Sequence, residues 1–167
     1  MTREEIIGLF MENAEEVAAE AVRVTSVDDL NRTVGDLVGS GKRIYCPRNT
    51  DLEKALSLTD AAETEDFMDA EVCVQEVAAG IAETGSIIST SQGGKPVQAG
   101  LLPSHHVAIV SSSNILETFD GYFAGRTENV PTNITVETGP SRTADIELTL
   151  TIGVHGPDRL SIVLIDS

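Results

Sequence analysis

The sequence predicts an α/β domain built on a mostly parallel central sheet. Helix-like and strand-like segments alternate along the chain, as they do when crossover helices link parallel strands. The last strand candidate, Leu160 to Ile165, is a continuous apolar run of the kind found in sheets covered on both faces. Turns rich in glycine and proline separate the segments. At 167 residues the chain has the length of one domain, and no second domain is expected. A hydrophobic share of 41% and a charged share of 23% fit a globular chain rather than a disordered one.

Two helices are expected in residues 1–41 and a sheet core in residues 43–167. Thr2 and Glu5 have the spacing of a capping box, and Ile6, Phe10, Ala14, Val17 and Ala21 recur at helical intervals. Ser26 caps a second helix whose stripe is Val27, Leu30, Val34, Leu37 and Val38, stopped by Gly39 and Gly41. Arg43 to Cys46 is a short strand halted by Pro47, and Asp51 to Leu58 a short helix. Asp60 to Asp69 is an acidic, mobile-looking connection. Strands follow from Glu71 up to the break at Gly80, and from Gly85 to Ser91, with Gly93-Gly94 expected as a hairpin turn. His106 to Val110 reads as a buried strand, Asn114 to Phe123 as a helical piece, and Asn133 to Glu137 and Leu160 to Ile165 as strands. Asp145 to Ile152 alternates with period two, as a strand does, but follows a Gly-Pro-Ser turn that starts helices; the short helix is the reading adopted.

Eleven basic against 27 acidic residues give a formal charge of −16. Nucleic-acid binders need basic stripes, and anionic membrane surfaces attract polybasic ones, so neither partner is expected. No apolar run is long enough to span a bilayer, and the acidic start is unlike a secretory signal, so a cytoplasmic location is expected. The two cysteines, Cys46 and Cys73, form no CxxC pair and cannot by themselves hold an iron–sulfur cluster or a thiolate zinc site. Both fall in apolar surroundings and read as buried, inert thiols.

Three stretches are too polar and too rich in turn residues to be packing alone: Glu83 to Ser86, Leu101 to His106, and Gly139 to Asp145 with Gly153 to Pro157. Such loops gather beside open α/β sheets, where ligands bind outside the carboxyl ends of strands. Gly139, Ser141, Arg142 and Thr143 could hold a small anion, since glycine admits the ligand and the guanidinium matches a carboxylate or phosphate. Arg142 could equally pair with Asp145 or Glu147 and only pin the turn. His105 and His106 are adjacent on an extended strand and so point to opposite faces, which prevents them from clamping one metal together. His155, followed by Gly156, is the loop imidazole able to titrate near neutrality. A metal held by one of these histidines, His155 and Glu83 matches no recognised spacing, and no metal is expected. Glu83, ahead of Thr84 and Gly85, could serve as a carboxylate nucleophile or base, or as a structural acceptor for the turn that follows.

Taken in order, Ala82-Glu83-Thr84-Gly85-Ser86, Leu102 to Ala108, Thr138 to Glu147 and Gly153 to Pro157 resemble the blocks of the lactate-utilisation protein C family, the LUD domain. They lie within residues 80–166; the N-terminal part is similar only in helix–strand order and is shorter than is usual there. The resemblance implies a Rossmann-like sandwich similar to the sugar-phosphate isomerases and CoA transferases. It also implies work beside iron–sulfur subunits in oxidising L-lactate to pyruvate, as an accessory or ligand-binding component, with the clusters in the partner subunits and no cofactor in this chain. The other reading is a stand-alone enzyme of CoA transferase or sugar-phosphate isomerase type that uses Glu83.

Overall fold

The computed structural model describes residues 1–124, 130–141 and 156–167. Helix α1 (Arg3–Glu16) starts on the expected capping box, with the Thr2 hydroxyl accepting from Glu5 N–H and the Glu5 carboxylate accepting from Thr2 N–H. It ends earlier than the periodicity predicts. Val17 closes the helix and Ala18 takes a positive φ of 69°, after which the chain enters strand β1 (Glu20–Val24). Ala21 therefore belongs to an edge strand, so residues 1–41 supply part of the sheet as well as two helices. Helix α2 (Val27–Val38) is capped by Ser26 and ends at Gly39, as its pattern predicts.

Strand β2 (Arg43–Tyr45) leads into the single turn of α3 (Asp51–Lys54), and β3 (Ala62–Glu63) forms within the acidic connection. Strands β4 (Val72–Glu76), β5 (Ala79–Ile81), β6 (Ser86–Thr90) and β7 (His105–Ser111) follow. The expected helical piece after them is instead a two-residue strand β8 (Ile115–Leu116) and a short α4 (Phe119–Phe123) capped by Thr118. Strands β9 (Ile134–Glu137) and β10 (Arg159–Ile165) complete the described chain. The expectation for Asp145 to Ile152 lies outside the described residues.

The central sheet has the order β1-β10-β7-β4-β2-β3, and every neighbouring pair is parallel. A second sheet, β8-β5-β6-β9, was not legible in advance; it mixes a parallel β5–β8 pair with antiparallel β5–β6 and β6–β9 pairs. Its hairpin turn is residues 82–85, between β5 and β6. Gly93 and Gly94 have the positive φ that tight turns need, but they sit in a 3-10 turn after β6 rather than in a hairpin.

Two apolar layers hold the sheets. On one face Ile7, Phe10 and Ala14 of α1 pack with Ile87 and Ile115 of the second sheet against Ala108, Val110, Leu160, Ile162 and Leu164. On the other, Leu30, Val34 and Val38 of α2 cover Val72, Val74, Val107, Ile109 and Val163. Buried on both faces, β7 and β10 carry the continuous apolar runs read from the sequence. Among the described residues no helix is long and apolar enough to cross a membrane.

Candidate functional site

Outside the carboxyl ends of β2 and β4 lies a cavity of about 300 Å³, roofed by the end of β6 and the turn after it. It sits where open α/β sheets place ligands, near the lower end of the roughly 300–1,000 Å³ usual for small-molecule sites. Among its lining residues are the amide and hydroxyl side chains of Asn49, Thr50, Gln75, Thr90, Gln92 and Asn114, together with Lys95, Val77 and Ala78.

Lys95 is anchored by a carboxylate that has no contact with solvent. Glu53, 0% exposed, completes a capping box with Thr50. Its Oε2 accepts from the backbone N–H groups of Asn49 (2.7 Å) and Thr50 (3.1 Å). Its Oε1 accepts from Glu76 N–H (2.8 Å) and from Lys95 Nζ (2.8 Å). Lys95 Nζ also donates to the Glu76 carbonyl at 3.0 Å. An ammonium has three donors. Two are used here, and the third has no protein acceptor among the described residues.

A second polar group runs from the cavity into the space between the sheets. Gln75 Nε2 lies 3.1 Å from His106 Nε2, and His106 Nδ1 lies 2.9 Å from Glu137 Oε2. All three are buried, His106 completely. With the Gln75 NH₂ turned to it, Nε2 of the ring must accept, so the ring proton is on Nδ1 and is donated to Glu137. Gly100 closes this group from the side: a Cβ there would stand 2.6 Å from His106 Cε1 and 2.9 Å from Gln75 Nε2.

The LUD domain family model matches residues 60–165. The chain belongs to the LUD domain family. It is similar to lactate utilization protein C of Macrococcus caseolyticus, 28% identical over 99% of this chain and 80% of that protein. With lactate utilization protein C of Halalkalibacterium halodurans it shares 33% identity over 52% of this chain and 40% of the other. A crystal structure of a DUF162 family protein from Deinococcus radiodurans superposes with a TM-score of 0.77 over 99% of both chains at 20% identity, a likeness of fold.

The described parts of the LUD motifs sit elsewhere than the cavity. None of the candidates read from sequence that lie among the described residues lines it, and His106 approaches it only through Gln75. Two motifs instead converge on the end of α1. Thr84, Ser86 and Thr138 form a chain of hydroxyls with 2.7 Å links, and Asn13 Nδ2 donates to the Ala82 carbonyl. Gly85 and Gly139 have positive φ and press directly on the α1 main chain and on Val17. The Glu83 side chain is exposed, and its Oε1 accepts from Phe119 N–H at 2.7 Å, which ties it to the first turn of α4. Ser141 N–H donates to the Pro157 carbonyl at 2.8 Å, with Gly156 alongside, so the third motif's two halves do meet. Arg142, Thr143 and His155 lie outside the described residues.

His105 and His106 do face apart. The Leu101–His106 loop enters at the amino end of β7, not at the carboxyl edge where the loops were expected to gather. There His105 lines a cleft of about 270 Å³ with Lys42, Glu71 and Arg159, and Nε2 lies 2.9 Å from Ser161 Oγ. Burial, and then the nearby Arg159 charge, push its pKa down to about 4. The fold thus holds this imidazole neutral, while the unfolded chain protonates near pH 6.5. Its contribution is complete above pH 6.5 and is lost as pH falls from 6.5 toward 4, an effect of roughly 1–3 kcal/mol after allowing for partial solvent screening. His105→Gln keeps a partner for Ser161 but does not titrate. Urea unfolding at pH 7 and pH 4.5 is expected to show the variant losing less stability on acidification than the wild type; equal losses would contradict this account.

The cysteines are buried thiols, as expected. Both are unpaired, and burial raises Cys46 to about 11 and Cys73 well above the usual thiol range.

Glu53, Gln75, Lys95 and Glu137 were not singled out from sequence. A signal existed for two of them. Thr50-x-x-Glu53 has capping-box spacing, and Lys95 is one of the few cations of a strongly acidic chain. Glu137 was hidden by an inverted strand, in which Val136 is exposed and the glutamate is buried.

Proposed function

We propose that this LUD domain serves in lactate utilisation and holds a small hydroxy-carboxylate in the cavity at the carboxyl ends of β2 and β4. The observation that carries the reading is the similarity to a lactate utilization protein C along 99% of the chain. The chain spans 40% of another such relative, so the pathway role is inferred from the shared domain. The cavity supports the ligand class. Lys95 keeps one N–H donor for a carboxylate, and the surrounding amides and hydroxyls suit a small polar acid.

Oxidation of L-lactate to pyruvate releases two electrons and two protons, which an acceptor must take. Two buried cysteines do not supply the four ligands of a cluster. In this reading the electrons pass to iron–sulfur partner subunits, and this chain is the ligand-binding component. The stand-alone transferase or isomerase has less support, because Glu83 lies outside the cavity and one of its carboxylate oxygens accepts from the first turn of α4.

Calorimetric titration with L-lactate and with pyruvate tests the proposal. Asn114 is exposed at the cavity wall, so Asn114→Trp fills the mouth without disturbing the core. The wild type is expected to bind, and the variant to bind about tenfold more weakly or worse, a loss of about 1.4 kcal/mol, with an unchanged melting temperature. Absence of heat with either acid, alone or beside the iron–sulfur subunits, would end this reading.

A further inference from the structure

We propose that Gln75 is a specificity-determining residue that presents its carboxamide oxygen to the cavity and so favours a 2-hydroxy acid over the matching 2-keto acid, with His106 and Glu137 as positioning residues. This rests on the reading of the cavity as a small-carboxylate site.

A glutamine amide can offer a pocket either a donor or an acceptor, depending on which way it is turned. Here the choice is made from behind. Glu137 accepts the Nδ1 proton of His106, which leaves Nε2 as an acceptor and draws the Gln75 NH₂ toward it. The Gln75 oxygen is then the atom left over. It has no hydrogen-bond partner among the described residues, and Gln75 lines the cavity. A hydroxyl can donate to that oxygen, whereas a ketone has nothing to donate and sets one acceptor against another. Lys95, on the same cavity, supplies the donor for the carboxylate that both acids share.

A second observation marks the group as more than packing. Glu137 Oε1 is buried with no partner among the described residues, an arrangement that costs stability and that an apolar side chain would avoid. Gly100 leaves room for the His106 and Gln75 side chains where any larger residue would collide with them. Buried polar groups of this kind fix a single orientation, and the residue so fixed, Gln75, lines the cavity.

The test is the ratio of L-lactate to pyruvate affinity by calorimetry. The wild type is expected to bind L-lactate roughly tenfold more tightly than pyruvate. Gln75→Leu and Glu137→Leu should bring that ratio close to one, and Glu137→Gln, whose amide oxygen can still accept from Nδ1, should recover most of it. A loss of packing alone weakens both acids together and leaves the ratio unchanged. Should both acids bind and the ratio survive Gln75→Leu, this inference falls while the proposed function stands. If neither acid binds the wild type, both fall. Without any ligand, ¹⁵N spectra of the histidine rings should show His106 protonated on Nδ1; a proton on Nε2 would turn the amide the other way and overturn the assignment.

Discussion

Gly85→Ala is expected to cost more than about 4 kcal/mol, beyond what ordinary point substitutions cost. The added Cβ would lie 2.2 Å from Ala14 N, 2.4 Å from Asn13 C and 2.6 Å from Ala14 Cα, all main chain of α1. No rotamer relieves a main-chain overlap, and the φ of 66° is itself unfavourable for alanine. The helix would have to lift away, yet Ile7, Phe10 and Ala14 are 0–2% exposed and form the middle of one core layer. Gly139→Ala should behave alike, since its Cβ would stand 2.1 Å from the Val17 carbonyl oxygen. At about 2–4 °C per kcal/mol for a chain of this size, each variant should melt some 10 °C or more below the wild type, or yield no folded protein. Gly8→Ala in the same helix is the control. Nothing lies within 4 Å of its Cβ, so the better helix former should stabilise by about 0.5–1 kcal/mol. A Gly85→Ala protein that melts within two or three degrees of the wild type would show that α1 does not dock as described.

The pair of glycines also explains what the LUD motifs are for, as far as the described residues reach. They look like ligand loops because glycine, serine and threonine cluster in them. Their glycines instead admit the end of a helix, and their hydroxyls bond to one another. Local patterns could not distinguish a backbone that approaches a ligand from one that approaches α1, because both demand the absence of a Cβ. The strands that were legible, β7 and β10, are those whose burial on both faces gives each a continuous apolar run, residues 107–110 and 162–165. Strand β1 was not legible, because Ala21 continues the spacing of α1 and the break at Ala18 is a positive φ in a residue that rarely adopts one. The cavity was hidden for a different reason. Glu53 meets Lys95 across 42 positions, and Gln75 meets His106, and His106 Glu137, across 31 each. Rules of periodicity and capping reach three or four residues, so these contacts emerge only from the sheet order, which sets β4 beside β7, and from the packing of the second sheet and the loop after β6 against them.

Lys95→Met is expected to destabilise the protein by about 3–5 kcal/mol, the usual result of removing one partner of a buried ion pair. The carboxylate it leaves behind is fully enclosed, although three backbone N–H groups still solvate it. Glu53→Leu should cost more, because it orphans those same three N–H groups and the ammonium together. The double variant Glu53→Leu/Lys95→Met should then be no worse than Glu53→Leu alone: with the carboxylate gone, the lysine has no charge to meet. Urea unfolding of the two single variants and the double variant measures this as a coupling energy, expected to equal the Lys95→Met loss of about 3–5 kcal/mol; strictly additive losses would mean that the two charges do not interact. The cost also bears on the cavity. Glu53 joins the turn before α3 to the end of β4 and to the loop carrying Lys95, which are three of its walls. The same carboxylate that neutralises Lys95 therefore fixes where its remaining N–H points, and a lysine held this way loses little freedom when an anion arrives. Lys95→Arg, which keeps the charge but replaces a compact ammonium by a wide fork, should accordingly lose carboxylate affinity while retaining much of the stability that methionine forfeits.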